Sequence, residues 1–181
     1  MNREHPKRWY FGAFNSPIGL LSVAVDAEGE VKRLHFGRLD ETGLFPDDNA
    51  IKPVRDQVEE YFAGDRKAFN LPLSPDGTVF QRAVWDGLLT IPFGKTVSYG
   101  QLAEQVGRAG AFRAVGAANG ANPIAVIIPC HRVIGSDRSL TGFGGGVPVK
   151  AALLAHEGVI AQVPAGEVGR RTRIEVQPSL F

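Results

Sequence analysis

Two helix-start signals in the second half of this 181-residue chain constrain its fold more than any other feature. Thr78-Val79-Phe80-Gln81 and Ser98-Tyr99-Gly100-Gln101 both match a capping box, in which a Ser or Thr and a Gln three residues later bond each other's backbone N–H groups. The first box predicts a helix that runs to about Leu89, and the second predicts a short helix that ends at Gly107. A helix-compatible segment, Ala111 to Asn119, follows at once. Two short helices separated by a glycine-containing turn are typical of a helix-turn-helix.

The first part of the chain has a different pattern, in which apolar segments are separated by short turns. Strands are expected at Tyr10–Phe14, Leu20–Asp26 and Val31–Phe36. Because the turns between them are short, the strands should pair antiparallel. Residues 37–50 are expected to form an exposed loop, Val54–Ala63 a helix that stops at Gly64, and residues 70–77 a linker.

These segments predict an α+β fold in separate parts. Residues 1–77 should form an N-terminal antiparallel sheet with a helix, and residues 78–161 a mostly helical domain that carries the helix-turn-helix. A last helix, Pro148–His156, is expected to close at Gly158, because glycine is favoured just after a helix end. Residues 162–181 lack periodicity and are expected to form a tail.

Composition excludes several classes of protein. The chain has one cysteine, so it cannot form an internal disulfide, and a structural zinc site built from several Cys and His ligands is not expected. No run of about 20 apolar residues is present, so no membrane helix or membrane association is expected. The N-terminus has no apolar signal-peptide core, which favours a cytoplasmic location. Residues 79–158 carry more basic than acidic groups, a mild tendency that is also compatible with ordinary surface variation.

The single cysteine, Cys130, is the strongest candidate for chemistry. An apolar run bracketed by prolines, 123–129, leads directly into Cys130-His131-Arg132. Charges on His131 and Arg132 would favour the thiolate, since a nearby cation lowers a thiol pKa. A glycine-rich loop, 142–146, would let main chain approach a planar ligand closely.

Other readings of the cysteine remain open at this point. A lone cysteine is often an inert buried thiol. A Cys–His hydrolase assisted by Asn122 is a second alternative, although direct contact between the adjacent Cys130 and His131 is awkward. One water between the two side chains would resolve that geometry. Glu157 is a candidate for the carboxylate that orients His131, or else a solvated acid at a helix end.

The residues around Cys130 carry a family resemblance. Ile128-Pro129-Cys130-His131-Arg132-Val133 resembles the active-site signature of the O6-alkylguanine-DNA alkyltransferases. Further segments agree with the family in order and spacing: Phe80-Gln81-x-x-Val84-Trp85, Ser98-Tyr99-Gly100-Gln101-Leu102-Ala103, Arg113-Ala114-Val115-Gly116, Asn122-Pro123 and Leu153-Leu154-Ala155-His156-Glu157-Gly158. The resemblance covers about Phe80 to Gly158, and the first 77 residues resemble the family's RNase H-like N-terminal domain more loosely.

The resemblance implies a catalytic role for five residues. Cys130 would be the nucleophile that accepts the alkyl group, and His131 the water-bridged base that takes its proton, with Glu157 behind it. Asn122 would brace the turn between the recognition helix and the active-site strand. Tyr99 would donate to a ring nitrogen of the guanine and so ease its departure.

The resemblance also implies a surface for DNA. Arg113 would enter the duplex where the flipped nucleotide was, and the small side chain of Ala114 would let the recognition helix, 111–119, enter the minor groove. The other residues placed at the DNA or at the guanine are Tyr99, Arg132, Val133, Phe143 and Gly144.

The implied activity is DNA repair by a single, stoichiometric transfer from O6-alkylguanine in double-stranded DNA to Cys130, by a monomer that needs no cofactor and no metal. Two alternatives are a non-catalytic protein that only binds alkylated bases in DNA, and a cysteine hydrolase or redox enzyme. This sequence has Phe143 where many relatives have tyrosine, and Gly144 where some relatives have serine. The three glycines 144–146 suggest a pocket loose enough for alkyl groups larger than methyl. Gly120 stands where relatives often carry a basic residue, so the DNA affinity should be modest and sensitive to salt.

Overall fold

The computed structural model describes residues 8–160 and Ile174, and the rest of the expected tail, 162–181, lies outside the described residues. The chain forms two compact units. The first contains the chain up to Asp76 together with Pro123–Ile127, and the second contains Gly77–Asn122 and the chain from Ile128 onward.

The first unit is built on a four-stranded sheet. Its strands are β1 (Trp9–Ser16), β2 (Gly19–Asp26), β3 (Val31–Phe36) and β4 (Leu44–Pro46), in the order β3-β2-β1-β4. The antiparallel pairing of β1, β2 and β3 is confirmed. The strand β4 was not expected, since its residues belong to the segment interpreted as a loop; it pairs with β1 in parallel. Three residues are too few to show an alternating pattern in the sequence.

The helix of the first unit, α1 (Lys52–Ala63), is confirmed and begins two residues before the expected start. Its buried residues Val54, Val58 and Tyr61 recur at helical spacing. It ends at Gly64, whose φ of 88° lies in the left-handed region that favours glycine.

The apolar run before Cys130, 123–129, does not form a regular strand. Leu34 N–H donates to the Pro123 carbonyl at 2.9 Å, and Ala125 N–H donates to the Leu34 carbonyl at 3.0 Å. This gives an isolated bridge to β3, after which the run continues in turns. Val126 has a φ of 68°, which a β-branched residue rarely adopts. The backbone before the cysteine is therefore held in an uncommon conformation.

The second unit contains the predicted helices. Its elements are α2 (Val79–Leu89), β5 (Val97–Ser98), α3 (Tyr99–Gln105), α4 (Phe112–Gly120), a 3₁₀ turn (Cys130–Arg132), β6 (Val133–Ile134) and α5 (Val147–His156). Both capping boxes are confirmed, because the Thr78–Gln81 and Ser98–Gln101 pairs make both of their reciprocal bonds. The helices α3 and α4 occupy the positions expected for a helix-turn-helix.

Packing fixes these elements relative to one another within the second unit. Trp85 Nε1 donates to the Ala118 carbonyl at 2.9 Å and so ties α2 to α4. Beside α5 lies an apolar cluster that consists of Ile134, Leu140, Val147, Ala151, Leu154, Val159, Ile160 and Ile174. The turn that bears Cys130 contacts both α2 and α5. None of the helices in the described part of the chain has the length and apolar character that a membrane crossing requires.

Candidate active site

Cys130 begins the 3₁₀ turn that follows Pro129 and precedes β6. Its N–H donates to the Ile128 carbonyl at 2.8 Å, and the residue is 6% exposed. The same carbonyl accepts a second bond, at 2.8 Å, from Nδ2 of Asn122. The Asn122 side chain also hydrogen-bonds the thiol. Asn122 thus links the segment after α4 to the turn that carries the cysteine.

The thiol of Cys130 is protonated in the resting protein. Burial raises its pKa, while the hydrogen bond from Asn122, the charge of Lys150 and nearby backbone groups oppose that effect. The expectation that charges on His131 and Arg132 lower this pKa was wrong, because His131 is neutral and Glu157 neutralises Arg132. A base must therefore remove the thiol proton during a reaction.

His131 has the properties of such a base. Its Nε2 lies 2.8 Å from Oε1 of Glu157, and both side chains are fully buried. Burial lowers the pKa of His131, although Glu157 opposes this effect, so the imidazole is neutral at pH 7. A carboxylate can only accept, so the ring proton lies on Nε2. Nδ1 is then an acceptor, and it has no hydrogen-bond partner among the described residues.

Glu157 is the anion that organises this cluster. Burial alone would raise its pKa, but hydrogen bonds and charges from His131 and Arg132 lower it to about 2. Its Oε2 also accepts the Gly94 N–H at 3.1 Å. Glu157 is the C-cap of α5, yet its side chain points inward, so it is not the solvated helix-end acid that the sequence left possible.

Arg132 was predicted to contact DNA, and the structure contradicts this prediction. Its side chain is buried, and Nε and Nη2 both donate to Glu157. Nη1 donates to the Ile91 carbonyl at 2.6 Å. These bonds keep the guanidinium inside the protein, so we assign Arg132 to the positioning of Glu157 and not to a DNA contact.

Lys150 is a charged residue beside the site that the sequence analysis did not single out. It is fully buried, and its Nζ donates to the Val133 carbonyl at 2.5 Å. Burial lowers its pKa to about 8, against an opposing effect of Cys130. The sequence pattern could have indicated that Lys150 is buried, because it lies on the apolar face of α5 with Val147, Ala151 and Leu154.

Tyr99 lies at the first position of α3, where the capping box fixes its backbone. Its hydroxyl is 2.9 Å from Oγ1 of Thr141, a residue that was not singled out from the sequence. Burial raises the pKa of Tyr99, the hydrogen bond to Thr141 lowers it, and the charge of Cys130 raises it further. The phenol is therefore protonated at pH 7, and it is near enough to Cys130 to be affected by its charge.

Of the residues expected to face DNA or the guanine, three are exposed (Arg113, Ala114 and Gly144), two are partly buried (Tyr99 and Phe143) and two are buried (Arg132 and Val133). Arg113 and Ala114 lie on the exposed face of α4, and the Arg113 guanidinium is 5.8 Å from the centroid of the exposed Phe112 ring. Val133 is buried, and its carbonyl accepts a hydrogen bond from Lys150.

Phe143 and Gly144, which were also predicted to lie at the DNA or the guanine, belong to the glycine-rich loop. Phe143 is partly buried, and Gly144 is exposed. A Cβ built on Gly144 meets nothing within 4 Å, so the loop leaves free space around this position. Across the part of the chain that the structure describes, no group of three or more His, Cys, Asp or Glu side chains could hold a metal ion.

Most of the chain matches one family of known proteins. Residues 9–75 match the family model of the 6-O-methylguanine DNA methyltransferase ribonuclease-like domain, and residues 79–159 match the model of the DNA binding domain of the same family. A methylated-DNA–protein-cysteine methyltransferase of Methanosarcina acetivorans is 44% identical over 154 residues, which cover 82% of this chain and 98% of the relative.

A mycobacterial relative and a solved structure are also similar to this chain over most of its length. The methylated-DNA–protein-cysteine methyltransferase of Mycobacterium bovis is 45% identical over 159 residues, covering 82% of this chain and 92% of the relative. The crystal structure of Mycobacterium tuberculosis OGT in complex with DNA superposes with a TM-score of 0.78 at 46% identity, covering 82% of this chain and 93% of that chain.

Proposed function

Because the chain belongs to the 6-O-methylguanine DNA methyltransferase family and acts in DNA repair by alkyl transfer, we propose that Cys130 is the sulfur that receives the alkyl group. A protein-cysteine methyltransferase needs a cysteine, and this chain has only one. The observation that carries the proposal is the buried pair of His131 and Glu157 next to that cysteine, with an acceptor on Nδ1 that no described residue bonds.

The first step is removal of the thiol proton. One water molecule carries it from Sγ of Cys130 to Nδ1 of His131, since adjacent side chains do not meet directly. Glu157 remains ionised, holds Nε2 in its donor state and stabilises the imidazolium that forms. The arrangement supplies a thiolate only when it is needed, which suits a thiol whose pKa burial raises.

The second step is an in-line displacement at the alkyl carbon. The Cys130 sulfur forms the S–C bond, the C–O6 bond breaks, and its electron pair remains on the guanine. Tyr99 donates a hydrogen bond to a ring nitrogen of the departing base. The proton held on His131 then balances the charge of the guanine anion. The product is a thioether, which no residue of the cluster can cleave, so each molecule reacts once.

The substrate proposed for this chemistry is O6-alkylguanine in double-stranded DNA. The alkyl carbon is buried in the base stack, so the nucleotide has to rotate into the site. Arg113 on the exposed face of α4 fills the vacated space, and the small Ala114 allows the helix to enter the minor groove. The relative from Mycobacterium tuberculosis in complex with DNA supports DNA as the partner. Action as a monomer and in the cytoplasm stays a prediction.

Counting transferred groups tests the proposed function against its alternatives. The protein is incubated with excess duplex DNA that carries a radiolabelled O6-methylguanine, and the label on the protein is counted. The proposal expects about one label per molecule, none on Cys130→Ala, and unchanged DNA binding by that variant. Release of many labels per molecule would support a hydrolase, and binding without any transfer would support a protein that only recognises alkylated bases.

A further inference from the structure

Thr141 lies opposite the hydroxyl of Tyr99, 42 residues further along the chain. The two oxygens are 2.9 Å apart, and either hydroxyl could be the donor. This contact joins the first turn of α3 to the segment before the glycine-rich loop. Nothing in the mechanism above explains why a second hydroxyl should lie there.

The backbone on both sides of the contact is well fixed. Leu140, directly before Thr141, is fully buried in the apolar cluster beside α5, and Thr141 N–H donates to the Ser139 carbonyl at 3.1 Å. Ring atoms of Tyr99 lie 3.7 Å from the position that a Cβ would occupy on Gly116 of α4. The phenol therefore lies between Gly116 and Thr141, and the contact does not depend on a loosely held side chain.

The chemistry of the leaving group determines the direction of the hydrogen bond in the complex. The ring nitrogen that faces Tyr99 has no proton, so it can only accept, and the tyrosine must donate to it. The tyrosine oxygen then has lone pairs left to accept a bond from Thr141. A hydroxyl that accepts one hydrogen bond becomes a better donor of another.

We propose that Thr141 is a positioning residue, which donates its hydroxyl proton to the Tyr99 oxygen and thereby aims the tyrosine proton at the departing guanine. The inference rests on the proposed function, and it adds a residue and a hydrogen-bond direction to it. As negative charge builds up on the guanine, part of it reaches the tyrosine oxygen, where the bond from Thr141 stabilises it. Thr141 acts late in the reaction, so it contributes to the transfer step and not to DNA binding.

Two substitutions at Thr141 isolate the hydroxyl. Thr141→Val keeps the shape of the side chain and removes the hydroxyl, whereas Thr141→Ser keeps the hydroxyl. The rate constant for transfer is measured at saturating O6-methylguanine duplex, and the DNA dissociation constant is measured in a Cys130→Ala background. Thr141→Val should lower the rate constant about threefold to tenfold, as expected for one neutral hydrogen bond, with the dissociation constant unchanged. Thr141→Ser should react like the original protein.

A double substitution tests whether Thr141 acts through Tyr99. In a Tyr99→Phe background the valine substitution should cause no further loss, because the oxygen it serves is gone. An equal loss with and without the tyrosine hydroxyl, or a full rate in Thr141→Val, would overturn the inference. Thr141→Ala replaces the valine variant if that variant unfolds on thermal melting.

The same set of proteins separates this inference from the proposed function. If Tyr99→Phe reacts at the full rate, the role of Tyr99 is wrong and the inference fails with it, while transfer to Cys130 stands. If Tyr99→Phe is slow and Thr141→Val is not, only the inference fails. If label never reaches Cys130, the proposed function itself fails.

Discussion

Oε1 of Glu157 lies 2.8 Å from Nε2 of His131, and both side chains are fully buried. The carboxylate also receives the Arg132 guanidinium and the Gly94 N–H, so four donor atoms converge on it.

Glu157→Gln should be costly for both activity and stability. The amide cannot carry the charge that stabilises protonated His131, and it leaves the buried Arg132 without its counter-ion. We expect the transfer rate to fall by at least about tenfold and the free energy of unfolding to fall by about 3–5 kcal/mol. Single-turnover kinetics and urea denaturation measure the two effects. Glu104→Gln, on the exposed face of α3, is the matched control and should change neither.

Lys150→Met should separate stability from activity. The pKa of Lys150 is lowered to about 8 from 10.5, so between these values the unfolded chain binds more protons than the folded protein. The unfolding free energy of the original protein should therefore rise as the pH goes from 8 to 10.5, and this rise should be missing in Lys150→Met.

At pH 7 the methionine variant should be more stable, on the order of 2–3 kcal/mol, because the buried charge is gone. It should also react more slowly, since the Cys130 thiolate loses a nearby positive charge. Lys95→Met, which changes an exposed lysine, should do neither. A Lys150→Met protein with a full transfer rate would show that the charge is not used.

The pH dependence of the transfer rate constant should follow the protonation of His131. Burial lowers its pKa below the ordinary 6.5, so the rate constant at saturating DNA should be flat between about pH 7, below the titration of Lys150, and pH 6.5, and it should fall below that range. In His131→Gln the rate constant should be low and should rise with pH, because only solvent can then ionise the thiol. A midpoint above pH 6.5 in the original protein would contradict this assignment.

The glycine-rich loop should tolerate substrates with large alkyl groups. A Cβ on Gly144 meets nothing within 4 Å, and its backbone does not require glycine. We expect transfer from O6-benzylguanine as well as from O6-methylguanine, and we expect Gly144→Leu to fold normally and to slow the benzyl substrate about tenfold more than the methyl one. Second-order rate constants for both substrates, measured on the original protein and on Gly144→Leu, test this prediction. A protein that does not react with the benzyl substrate would refute it.

The sequence predicted those features that depend on neighbouring residues. The reciprocal bonds of each capping box join residues three positions apart, and Gly64 directly follows the helix that it ends. The helix starts and this helix end could therefore be predicted from short stretches of sequence. The strand β4 could not, because it is short and pairs with a strand about 35 residues earlier. Its parallel pairing depends on the whole sheet.

The active site could likewise be predicted only where its residues are close in the sequence. The Cys130-His131 pair is contiguous and could be recognised. Glu157 could be named as a candidate carboxylate, but the sequence could not distinguish it from a solvated helix-end acid, because it lies 26 residues from His131. Thr141 was missed because only the folded chain brings it to Tyr99. Arg132 was misplaced because its direction depends on where Glu157 lies, and sequence alone does not give that.

The most direct test of the account is to locate the transferred group. The protein is reacted with excess duplex O6-methylguanine, digested and analysed by tandem mass spectrometry, and the DNA is analysed for restored guanine. The account predicts one methyl group on the peptide that contains Cys130, located on its sulfur, with one guanine restored for each protein molecule. Restored guanine together with an unmodified Cys130, or a methyl group on any other residue, would contradict it.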